Sequence, residues 1–169
     1  IADWTYGETA SAPVAESATN GIENVTYFYK VKGADDSTYT TDVPKNAGDY
    51  TIKAVFAETD NYKECFATAD FKINKALITS VTASVIAPVA GKAPQYVLTA
   101  AEGYEASRIT WSPEVANVFA YNTVYTASVT LTADDNHVFD DTTTADGWTA
   151  AFKTEDGTLT LTRIFDATE

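Results

Sequence analysis

The chain has 169 residues, 45% of them hydrophobic, and a formal net charge of −13. That apolar share excludes a disordered acidic tail, and the negative charge with no basic stripe excludes a nucleic-acid binder. Length alone leaves one large β domain or two small ones open.

The chain opens on Ile1-Ala-Asp-Trp-Thr-Tyr-Gly7 with no methionine and no basic-then-apolar leader, which reads as a cut through a longer polypeptide. A Ser/Ala/Thr-rich patch runs to Asn20-Gly21, a dipeptide that favours a tight turn with positive φ. Val25, Tyr27, Tyr29 and Val31 then alternate with polar residues and predict a strand. Lys32 to Ser37 is a polar turn, and Tyr39 to Val43 is expected as a short strand bordered by Pro44, which cannot donate to a ladder.

Gly48 to Ile73 predicts a strand, an acidic turn and a second strand. Tyr50, Ile52, Ala54 and Phe56 share one face, as do Ala67, Ala69, Phe71 and Ile73 on the return. Cys65, the single cysteine, has only Lys63 as a basic neighbour. It forms no intrachain disulfide and lacks the positive surroundings that activate a thiol.

A second unit is expected from Leu77, with strands at 77–86, 96–100 and 109–111. Its later part echoes the first. Tyr125-Thr-Ala-Ser-Val matches Tyr50-Thr-Ile-Lys-Ala, and Asp135-Asn-His matches Asp60-Asn-Tyr. Trp148-Thr-Ala-Ala-Phe-Lys153 likewise matches Ala67-Thr-Ala-Asp-Phe-Lys72. Tyr125, Ala127, Val129 and Leu131 are expected inward, and Glu155-Asp-Gly157 turns into a last strand carrying Leu159 and Leu161. Such internal similarity indicates duplicated modules, with domains at 1–76 and 77–169. No segment carries capped helical periodicity, and no run of 18 apolar residues exists to span a membrane.

Trp4-x-Tyr6-Gly7, Asn46-Ala-Gly-Asp-Tyr-Thr51, Glu58-Thr-Asp-Asn-Tyr62 and Phe71-x-Ile73-x-Lys75-Ala76 resemble the bacterial immunoglobulin-like repeats of the MBG type. Residues 77–169 resemble a related module only through the Tyr125 and Phe152 echoes. The resemblance implies an all-β chain of two tandem immunoglobulin-like β-sandwich domains, the first with a truncated N-terminal edge. It also implies tyrosine corners at Tyr50 and Tyr125. It further implies extracellular spacers, stalks or binding modules of a cell-surface, cell-wall or secreted protein, not enzymes. Partners would be neighbouring domains of the same chain, or a surface glycan or host protein.

No catalytic residue is expected. The single histidine, His137, cannot supply a triad and a zinc site together with one distant cysteine, and no phosphate-binding glycine loop is present. No resident cofactor is expected, with one metal candidate. Asp134, Asp135, Asn136, Asp140 and Asp141 offer hard oxygens that suit calcium, although Asx-rich turns form without metal as well. Trp4, Tyr6, Tyr27, Phe28, Tyr29 and Tyr39 are either sandwich core or a ring platform for carbohydrate. Lys53 and Lys72 fall on the polar phase, which disfavours a buried Lys–Asn isopeptide crosslink, and the Asn24-Val-Thr26 sequon is read as incidental.

Overall fold

The structure, a computed structural model, describes residues 1–21 and 24–169. It is all-β, with one three-residue 3₁₀ turn as the only helical element among the described residues. It divides into two compact units, Ile1–Ala76 and Leu77–Glu169.

In the first unit β2 (Val25–Val31), β3 (Gly48–Phe56) and β4 (Cys65–Asn74) form an antiparallel sheet, and β1 (Trp4–Thr5) lies parallel to the end of β4. The register aligns Val31, Tyr50 and Phe71 across three strands. Period-two alternation therefore stacks one apolar face. Trp4, Tyr29, Ile52, Phe71 and Ile73 are the buried residues of this core. The Phe71 ring stacks on Trp4 (5.2 Å between centroids) and on Tyr50 (5.6 Å), and meets Tyr29 edge-on. The acidic turn after β3 is held by Asn20, whose amide donates to the carbonyls of Ala57 (2.9 Å) and Lys63 (3.1 Å).

One expectation holds only in part and another fails. Ala67 and Ala69 lie in phase with Phe71 but are exposed, as is the whole run from Cys65 to Asp70. Beside them Pro13, Val14 and Ala15 leave a cleft of about 170 Å³ over Ile52 and Ala54. Two methyl groups are too short to close it. Residues 39–43 form no strand. Instead Asp35 caps a 3₁₀ turn at Asp36–Thr38 by accepting from the Ser37 N–H (2.9 Å). The turn also engages Tyr39, whose N–H donates back to the Asp36 carbonyl (3.4 Å), so the start of the expected strand is used in closing the turn. Among the described residues of this segment, Thr40 alone bonds to the β2 backbone, exchanging bonds of 2.7 and 2.9 Å with Tyr29.

The second unit is built on β9 (Thr126–Ala133). It pairs with β13 (Thr158–Ile164) on one side and with β7 (Tyr104–Ala106) and β8 (Thr110–Ser112) on the other, and β12 (Thr149–Lys153) extends the sheet beyond β13. Val129 opposes Leu161 and Leu131 opposes Leu159. All four are 0–1% exposed, so the alternation here delivers the inward face it predicts. Trp111, Phe119, Tyr125 and Phe165 form an aromatic cluster with centroids 4.8–6.5 Å apart.

The expected strand at 77–86 contracts to β5 (Ala76–Leu77) and β6 (Ser80–Val81), which pair with β10 (His137–Val138) and β11 (Thr144–Ala145). Residues 96–100 join no ladder. Their approach is satisfied differently: the Gln95 carbonyl accepts from the Trp111 indole (2.8 Å) and the Tyr96 carbonyl from the Ile109 N–H (2.8 Å).

Candidate functional site

The oxygen-rich loop between β9 and β11 is two separate turns. Phe139, 1% exposed, is driven into the core between them and divides the candidate ligands. In the first turn one Asp134 carboxylate oxygen accepts from the Asn136 N–H (2.9 Å) and sits 2.7 Å from His137 Nδ1. The imidazole hydrogen bond holds the Asp134 carboxyl below its ordinary range. His137 in turn lies against Gly103, where a Cβ would come within 3.1 Å of the ring. The φ of +96° there also favours glycine.

In the second turn an Asp140 oxygen accepts from the Thr142 hydroxyl (2.6 Å) and N–H (2.9 Å), which lowers its pKa in the same direction. Asp135 and Asp141 are exposed, and Asn136 is half-buried. Among the described residues no three His, Cys, Asp or Glu side chains gather into a metal-sized group. The Asp134 and Asp140 carboxylates are spent on closing their own turns.

The two tyrosines singled out in the sequence do the same kind of work in both units. The Tyr50 hydroxyl donates to the Asn46 carbonyl four residues upstream (3.0 Å), and the Tyr125 hydroxyl accepts from the Ala120 N–H five residues upstream (3.0 Å). Gly48 lies beside the Tyr50 ring, where a Cβ would stand 3.4 Å from the hydroxyl. Each ring is packed against its own core, Tyr50 on Phe71 and Tyr125 on Phe119.

The six aromatic candidates divide between the faces of the first sheet. Trp4 and Tyr29 are buried, and Tyr6 and Tyr27 pack half-buried against them. Phe28 lies on the opposite face, directly across from Lys53. There Lys53 Nζ stands 4.4 Å from the Phe66 centroid and 5.7 Å from the Tyr39 centroid, and Lys30 Nζ stands 4.8 Å from Tyr39. Lys30 also pairs with Asp36 at 2.6 Å. The outer face thus carries Phe28, Tyr39 and the 64%-exposed Phe66 around one lysine. Rings in this setting can stack on a flat apolar ligand surface while the ammonium meets an anion.

Phe66 was not legible as part of this group. It shares a phase with Thr68 and Asp70, and only the register of β4 against β3 sets it across from Val55, beside Lys53. The other residues considered for chemistry sit apart from any site. Cys65 is exposed at the start of β4, with its sulfur 3.8 Å from the Ser17 hydroxyl. Lys72 is exposed, and its backbone N–H donates to Asp3 (2.7 Å). Asn24 is exposed, and its carbonyl accepts from Ala57 (3.2 Å). No family model matches the chain, and no curated protein or solved structure matches it.

Proposed function

We propose that the chain is a non-enzymatic structural or adhesive segment of a larger bacterial cell-surface or secreted protein. In this reading both units are immunoglobulin-like sandwiches, the first of the MBG type and the second a related module, and their partners are neighbouring domains of the same polypeptide. The observation that carries it is the repeated anchor. In each unit a tyrosine at the head of a central strand reaches back to fix the preceding loop, as a tyrosine corner does. Among the described residues no helix is long and apolar enough to cross a membrane; extracellular location belongs to the proposal. Stretching single molecules tests it. A spacer should resist force in two discrete unfolding steps and bind neither glycans nor host cells, and extension at low force without such steps overturns it.

A second reading, a carbohydrate- or host-protein-binding module, is favoured by the outer rings Phe28, Tyr39 and Phe66 with Lys53. A glycan array and a cell-adhesion assay separate the two. If the face binds, Phe66→Ala should lower affinity at least tenfold while leaving the melting temperature nearly unchanged, because the ring is exposed.

A further inference from the structure

Among the described residues, nothing bonds to a strip of backbone on the outer edge of β4. The Lys72 N–H donates to the Asp3 side chain and the Asn74 carbonyl accepts from Tyr6 (2.8 Å), so the even-numbered residues of β4 direct their backbone groups away from β3. Alternation assigns the same direction to Phe66, Thr68 and Asp70. None of the three has a backbone partner on that side among the described residues. β1 covers only the far end, at Ile73 and Asn74. Every residue from Cys65 to Asp70 is exposed, and among the described residues Pro13, Val14 and Ala15 border Ala67, Thr68 and Ala69 across an open cleft without bonding to the strip. It extends over roughly 13 Å. The opposite edge is treated otherwise: β2 is engaged at Tyr29 by Thr40. Open edges of this kind are templates for another strand.

We propose that two copies of the chain pair antiparallel through this edge, centred on Thr68. The sequence of the strip is self-complementary in that register. Thr68 meets Thr68 of the second copy, a favourable cross-strand pair. Phe66 lies opposite Asp70, and at each end Glu64 comes opposite Lys72, bringing unlike charges together twice. On the inner face Ala67 meets Ala69, and these small side chains let the two sheets run on without a clash. Phe66, Thr68 and Asp70 would form roughly six new backbone hydrogen bonds. The interface is short, which places it among weak, concentration-dependent associations.

Thr68→Pro is the discriminating variant. The Thr68 N–H points out of the sheet, so proline removes an unpaired donor and none of the bonds to β3. Sedimentation velocity from micromolar to millimolar protein should show wild type passing from monomer to dimer. Thr68→Pro should stay monomeric with its melting temperature within a few degrees of wild type. Lys72→Glu should weaken the dimer, and the double exchange Glu64→Lys with Lys72→Glu should restore it. In a Cys65→Ser background, Thr68→Cys should oxidise to a disulfide-linked dimer and Ser37→Cys, away from the strip, should not. A wild type that remains monomeric at millimolar concentration overturns the proposal. So does a dimer that Thr68→Pro leaves intact, or a charge exchange that fails to restore pairing.

Discussion

At the residue scale the strongest local commitments are hydroxyl and amide groups holding backbone. Tyr125 gives the Ala120 N–H its acceptor in a partly buried corner, whereas the equivalent bond from Tyr50 is exposed. Tyr125→Phe should therefore cost about 1 kcal/mol and Tyr50→Phe less, since water can replace the partner of an exposed group. Urea unfolding of the two variants checks the order. Equal losses would mean that the corners differ less in solvation than their surroundings indicate. Asn20 belongs to the same class, yet its role could not be read in advance. A turn is foreseeable from Asn20-Gly21, and Gly21 does adopt φ +73°. The two carbonyls that the amide ties together lie 37 and 43 residues away, beyond what a local pattern carries.

At the element scale, legibility tracks whether a strand has a partner on its face. Thr126–Ala133 is foreseeable because its alternation is regular and both faces find what they need, core on one side and water on the other. The same pattern in Ala67 and Ala69 identifies the face correctly but carries no information on whether anything covers it. Residues 96–100 show the reverse problem. An extended segment whose carbonyls serve an indole and a lone N–H has the composition of a strand without its ladder. The tyrosine anchors were legible from the echo of Tyr50 at Tyr125. The outer ring group was not, because Phe66 enters it through register alone.

Core strength follows the same division. Phe71 touches Trp4, Tyr29 and Tyr50 and is 4% exposed, so Phe71→Ala should cost about 3–5 kcal/mol. Leu131→Ala, at a fully buried position of β9, should cost about 2–5 kcal/mol. The two cores are separate clusters, and each variant should lower the transition of its own unit in calorimetry. A single transition shifted equally by both would contradict this.

At the scale of the whole molecule the charge of −13 sets the response to acid. Asp134, Asp140 and Asp156 close turns by accepting from His137, Thr142 and Thr158, and Asp35 and Asp70 accept from Ser37 and Lys32. Each bond lowers the carboxyl pKa. A folded pKa below the unfolded one stabilises the fold above about pH 4 and ceases to do so as pH falls through the folded value. These groups are exposed and screened, so the effect is spread over several turns. The melting temperature should be flat from neutral pH to about pH 5 and fall below about pH 4. Replacing Asp134, Asp140 and Asp156 together by Asn should flatten the acid limb. An unchanged limb would place the acid sensitivity elsewhere.

The two tyrosine corners run their hydrogen bonds in opposite directions, and alkali should tell them apart. Tyr50 gives its hydroxyl proton away, while Tyr125 receives one from the backbone. Burial raises the pKa of Tyr50, so the unfolded chain releases that proton first and the fold loses this contribution as pH climbs past about 10. A phenolate at position 50 can no longer donate to Asn46, whereas the Tyr125 bond draws its proton from the Ala120 backbone. Base should therefore loosen the first unit's corner ahead of the second's. Ultraviolet titration of wild type against Tyr50→Phe would assign the Tyr50 phenolate signal, and amide exchange at Ala120 would report whether its N–H stays protected.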